Sequence, residues 1–292
     1  MWAGPIYSIW PQGVEQVMDY KTVMVGQALD RPNDACLRVA GDIAERYGSR
    51  IIGVAASDLR PPMYYAGGGA AQKLLDDEIA GIEKRLSELE AEFRASVEKR
   101  ATSLEWRSAR ALPVPQMVQH ARSADILVIG ARAETLVDPC AAPDPSDLVM
   151  QAGRPLIVVP PTAEWLDLRS VLVAWKDVRE ARRAVFDALP ILAAAKEVTI
   201  TEIPEQDGRR ADALSHVADV AAWLSRHGIA ANTSVPDKTG GVIEQLEKIA
   251  ANVGAGAVVA GAYGHSRFRE WVLSGVTRHL ATESRRCAFL SR

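Results

Sequence analysis

The residues best placed to do chemistry lie near the C-terminus, in Gly261-Ala-Tyr-Gly264-His265-Ser-Arg267-Phe-Arg269-Glu-Trp-Val-Leu-Ser274-Gly275-Val276-Thr277. The segment begins where a short apolar run, Ala257–Ala260, ends, and it closes where a helical pattern begins. Glycines at the carboxyl end of a buried strand let the backbone approach a ligand closely and adopt positive φ. A helix starting near Ser274-Gly275 would aim free N–H groups and the positive end of its dipole at the same place. Together they read as a cradle for an anion such as phosphate. The alternative is a glycine turn needed only to reverse the chain. His265, Arg267, Arg269 and Arg278 would place positive charge around the loop, where it could steer phosphates. For Arg269 and Arg278 the plainer reading is a solvated basic helix face.

Other chemistry finds little support. The chain has no Gly-x-Ser-x-Gly elbow, Gly-Lys-(Ser/Thr) loop, His-Glu-x-x-His or complete Gly-x-Gly-x-x-Gly. His120, His216 and His227 are spaced like helix-surface or helix-terminus residues. Trp175, at the end of another apolar run, reads as core or interface more than as a stacking platform for a base.

An internal repeat shows which elements hold the loop. Ala124–Gly130 matches Ala255–Gly261 and Arg154–Val159 matches Arg285–Leu290, both at an offset of 131 residues. Lys21–Gly26 matches Arg169–Ala174 at an offset of 148, so the first half carries 17 extra residues between its opening strand and its Gly130 strand. Short Val-rich runs predict buried strands at Val23–Val25, Ile51–Ala55, Leu104–Arg107, Ile126–Ile129 and Leu156–Val159. The second half predicts strands at Val171–Trp175, Val198–Ile203, Ile229–Thr233, Ala257–Ala260 and Ala288–Leu290. Helices are expected between them: from Asn33 to a stop at Gly48, over Leu75–Val97 and Gln116–Arg122, then Glu180–Ala194 with a kink or end at Pro190, Ala211–Arg226, Gly241–Val253 and Gly275–Glu283. Arg60–Gly69, with two prolines and three glycines, is read as irregular. Strands alternating with helices imply right-handed crossovers and a parallel sheet covered on both faces.

With its spacing, the loop resembles the Gly-x-x-Gly, nine residues, Gly-(Ser/Thr) loop of ATP-binding universal stress proteins. Gly261 and Gly264 match its first two glycines. Ser274 and Gly275 stand in the reverse of the usual Gly-Ser order. The resemblance implies two tandem Rossmann-like domains of the adenine nucleotide alpha hydrolase-like kind, each a five-stranded parallel sheet with helices on both faces. It divides the chain into an extension (1–18), a degenerate domain (19–161) and a domain with the nucleotide loop (168–292), joined by a linker from Pro160 to Asp167.

The implied ligand is ATP or another adenine nucleotide, accompanied by Mg2+, with slow hydrolysis at most. The implied contacts are Ala174, Asp177, Gly261, Gly264, His265, Ser274, Gly275 and Val276. Asp177 is the candidate acceptor beside the nucleotide, a solvated Lys–Asp turn being the alternative, and Lys176 could instead neutralise phosphate. In the first half the equivalents of Gly264, Ser274 and Gly275 are Ala133, Pro143 and Asp144. These disfavour positive φ, lack an N–H and carry negative charge, so that half should not bind ATP but pair with the second. The strands Leu156–Val159 and Ala288–Leu290 could pair domains or separate chains. A nucleotide-independent interaction module using the Leu75–Val97 helix is the competing function, and an adenylating enzyme a remoter one.

Composition bounds these readings. The chain has 292 residues, 48% hydrophobic and 24% charged, which suits two compact domains. A net charge of -3 gives no basic field for nucleic acid or an anionic membrane. Cys36, Cys140 and Cys287 form no C-x-x-C pair and suit a reducing cytoplasm. Residues 1–17 lack a basic start and a small-residue cleavage site, and Met18 directly precedes the first strand region, so the true start is expected there or the first residues form a loose arm.

Overall fold

The computed structural model describes residues 19–59, 69–132, 138–204, 209–263 and 275–292. In the first half, β1 (Thr22–Gln27), α1 (Asp34–Tyr47), β2 (Arg50–Ala56), α2 (Gly69–Val97), β3 (Leu104–Ala109), α3 (Pro113–Ala121), β4 (Ile126–Gly130), α4 (Pro145–Gln151) and β5 (Leu156–Val159) follow one another. The second half continues with β6 (Ser170–Ala174), α5 (Arg179–Asp187), α6 (Leu189–Ala194), β7 (Glu197–Thr201), α7 (Arg210–Ser225), β8 (Asn232–Ser234), α8 (Val242–Asn252), β9 (Ala257–Gly261), α9 (Gly275–Thr282) and β10 (Cys287–Ser291).

The strands lie in one ten-stranded sheet ordered β3-β2-β1-β4-β5-β10-β9-β6-β7-β8. Each half is a parallel five-stranded sheet of order 3-2-1-4-5, and the halves meet where β5 and β10 run antiparallel, with Phe289 opposite Ile157. The two strands that sequence left open between domain and chain pairing thus pair with each other inside the chain. Side chains alternate between two apolar layers. Val23, Val25, Val171 and Val173 enter one, and Met24 and Leu172 enter the other. Both layers run through both halves, which is why the strands read as continuous apolar runs rather than alternating ones.

Several local expectations are refined. Asn33 caps α1 by position, but its side chain makes no cap bond; Oδ1 accepts from Ala28 N at 2.8 Å and Nδ2 donates to Ala28 O at 2.9 Å, closing the β1–α1 loop. Gly48 ends α1 with φ 62°, the left-handed conformation glycine adopts without Cβ strain. The segment expected to be irregular falls mostly outside the described residues, but Gly69 already belongs to α2. The expected Glu180–Ala194 helix divides into α5 and α6, with Pro190 in the first turn of α6, where a missing N–H costs nothing. Carbonyls on either side of that break accept hydrogen bonds from the first half. Tyr20 and Tyr47, packed edge to face at 5.5 Å, donate their hydroxyls to Asp187 O (2.7 Å) and Pro190 O (2.9 Å), tying the first half to the second.

The connecting segment is also held. Asp42 accepts from Leu166 N at 2.6 Å and pairs with Arg100 at 2.6 Å, while Arg38 donates to Ala163 O.

Candidate functional site

In an open sheet of this order, the crevice lies outside the carboxyl ends of the strands, where neighbouring crossovers leave to opposite faces. In the second half that place is the end of β6 and β9. A cavity of about 640 Å³ occupies it. Of the residues expected at a ligand, Ala174, Gly261, Gly275 and Val276 line this cavity, so the end of β9 and the start of α9 reach one hollow. Gly264, His265 and Ser274 lie outside the described residues, as do Arg267 and Arg269. Arg278 is exposed on α9 and is not part of the lining.

Two of these residues sit differently from the simplest expectation. Asp177 does not line this cavity. It faces a second one of about 430 Å³ and is paired with Arg182 at 2.5 Å, so the turn after β6 presents Lys176 to the first cavity instead. The role of Gly261 also differs. A Cβ there would stand 2.5 Å from Ala181 N and 2.6 Å from Glu180 C, so this glycine admits the backbone of α5 against β9. Among the described residues of the loop, Tyr263 has a positive φ, at 58°, with its N–H directed to Thr277 Oγ1 at 3.4 Å. Such a conformation in a bulky residue costs on the order of 1–3 kcal/mol and persists only where surrounding structure holds it.

The cavity also contains groups that the sequence did not single out. Glu202 directly follows β7, with its side chain 13% exposed, and Oε2 lies 3.1 Å from His216 Nδ1 on α7. Burial raises the Glu202 carboxyl above its ordinary value, opposed by the His216 hydrogen bond and the nearby charge of Lys176. His216 is therefore a cavity residue, not a plain helix-surface one. The position of Glu202 just past the second strand was the available signal; His216 depended on the rotation of α7. Thr201 and Trp175 also line the hollow, although Thr201 Oγ1 and Trp175 Nε1 are themselves buried away from it, with no hydrogen-bond partner among the described residues. Arg209 and Asp212 complete its charged wall.

The first half closes the corresponding place with its own chain. Leu29 N, after β1, donates to Ala141 O at 2.8 Å, and Asp58 N, after β2, donates to Cys140 O at 3.0 Å. Cys140, Ala141 and Ala142 are buried there. Asp144 caps α4: its Oδ1 accepts from Ser146 N (2.8 Å) and Asp147 N (3.1 Å), and its Oδ2 pairs with Arg132 at 3.0 Å. An internal carboxylate thus occupies the helix end where the second half offers Gly275. The cysteines are free and buried, and desolvation pushes the thiols of Cys36 and Cys287 up to about 12, which makes them poor nucleophiles. Among the described residues no cluster of three His, Cys, Asp or Glu could hold a metal, and no helix is long and apolar enough to cross a membrane.

Two parallel α/β sheets of this order, fused edge to edge with a crevice at the switch point of the second, define a doubled Rossmann-like architecture. No protein-family model and no curated protein matches the sequence. The structure, however, resembles solved ones over nearly its whole length. A universal stress protein from Archaeoglobus fulgidus DSM 4304 superposes with a TM-score of 0.72 at 15% identity, covering 93% of this chain and 96% of that one. A functionally unknown protein from Pseudomonas aeruginosa PAO1 gives 0.58 at 13% identity, covering 94% of each. The chain has the universal stress protein fold, in its tandem form.

Proposed function

We propose that this protein is a cytoplasmic tandem universal stress protein, a stress-response regulator that binds ATP or another adenine nucleotide in its second half. The observation carrying this reading is the convergence of the β9 end and the α9 start on one hollow at the switch point. The first half, filled by residues 138–142 and capped by Asp144, serves as the fixed partner. The phosphates would lie at the start of α9, where N–H groups and dipole favour anions. Lys176 and Arg209 supply opposite charge on the lining. Mg2+ would enter with the nucleotide, held chiefly by its phosphates. Hydrolysis, on this reading, would be slow at most, since none of the described lining residues is set out as a dedicated water-activating group.

Calorimetric titration with Mg-ATP tests this, using Gly275→Asp as the control variant. The substitution copies Asp144 into the second half, and among the described residues the new Cβ closely approaches only the flexible end of Ile243, at 3.2 Å. An aspartate in a first helical turn stabilises by about 0.3–1 kcal/mol, so the variant should stay folded. Saturable binding by the natural chain, weakened at least tenfold in the variant, is the expected result. No binding at millimolar ATP would favour an interaction module instead. The observation pointing that way is Leu74, 66% exposed on the α2 surface.

A further inference from the structure

The cavity holds an uneven set of hydrogen-bonding groups at the end opposite α9, and their chemistry says what the far end of a ligand must offer. Resting on the nucleotide reading above, we infer that Glu202 is the base-reading residue of the site and that it selects adenine through the exocyclic amine. The placement follows from the sheet. β9, β6 and β7 are neighbours, so Glu202 stands two strand spacings, roughly 10 Å, from the end of β9. A nucleotide anchored by its phosphates at the α9 start therefore puts its sugar over the end of β6 and its base over the end of β7. The carboxylate waiting there is incompletely used. Glu202 has His216 as its hydrogen-bond partner among the described residues, although an ionised carboxylate accepts about four hydrogen bonds.

A carboxylate with spare acceptor capacity matches a heterocycle edge that offers it a single N–H donor. Adenine presents this edge. Guanine would present two adjacent N–H groups to both carboxylate oxygens at once. That fork is already engaged, since His216 Nδ1 lies 3.1 Å from Oε2 and 3.4 Å from Oε1. The carboxylate keeps room for a single N–H from the side.

The test compares ATP, purine riboside triphosphate (which lacks only the amine) and GTP, by calorimetry on the whole chain and on Glu202→Leu and Glu202→Gln. A hydrogen bond to a charged acceptor supports a preference for ATP over purine riboside triphosphate of about tenfold to a hundredfold in the natural protein. Glu202→Leu should bring the two affinities within about twofold of each other by weakening ATP alone. Glu202→Gln, which keeps an acceptor and the side-chain shape, should restore part of the preference. Unchanged discrimination in Glu202→Leu, or tighter binding of GTP than ATP by the natural protein, overturns the assignment. Equal affinity for ATP and purine riboside triphosphate overturns it too, while leaving nucleotide binding standing. Absence of binding by all three removes both readings.

Discussion

Gly261 shows how one residue can be chosen for a neighbour on the far side of its own strand. Its missing side chain makes room for the backbone of α5, and backbone cannot rotate away as a side chain can. Gly261→Ala should therefore lower stability by about 1–3 kcal/mol or more through overpacking, measured as a shift in the urea midpoint. A neutral effect would mean that α5 can slide outward freely. Glu202 makes a prediction of a different kind. Its folded-state carboxyl is raised by burial, so the folded protein binds this proton more tightly than the unfolded chain does. Its contribution is then most favourable below the ordinary glutamate range and is lost as pH rises through the raised value. The stability gap between Glu202→Gln and the natural protein should therefore favour the variant more at pH 7 than at pH 4. A gap independent of pH would show that the His216 contact fully offsets the burial.

At the level of elements, α4 and α9 occupy equivalent places yet end differently. Asp144 satisfies two N–H groups at the start of α4 and holds Arg132 as well. Removing it with Asp144→Ala should cost about 1 kcal/mol, within the 0.5–2 kcal/mol usual for a lost N-cap, read as a lowered melting temperature. The strands were legible in the sequence because both faces are covered, which turns each into a short Val- and Ile-rich run. α2 was legible from its apolar stripe, except for its first turn, where glycines suggested a break. α4 is short, seven residues, and too brief for an apolar stripe to show, although Asp144-Pro145 is a good helix start. The site was half legible. Residues set by chain direction, such as Ala174, Gly261 and Gly275, could be placed from strand and helix ends alone. Between Asp177 and Lys176 the sequence left the choice open, because one residue of turn geometry decides which side chain faces inward, and His216 depended on a helix rotation that spacing alone does not fix.

For the whole molecule, the repeat offset of 131 residues already implied two similar halves, but not how they join. The join is a strand pair. β10 is buried along its entire length, and Phe289 and Leu290 project into the two different apolar layers that continue into the first half. A half cut away at the linker would keep its own sheet but present β10 as an unpaired edge with apolar surface on both sides of it. Such edges seek another strand. The antiparallel β5–β10 contact is also close to two-fold symmetric, so a second copy of β10 can take the place of β5 without reversing direction. Residues 168–292 expressed alone should consequently sediment as a dimer at micromolar concentration. Replacing Phe289 with Lys at the seam should break that dimer into poorly folded monomers. A stable, well-folded monomer of 168–292 would show that the second half needs no strand beyond β10, and that the shared core adds little to its stability.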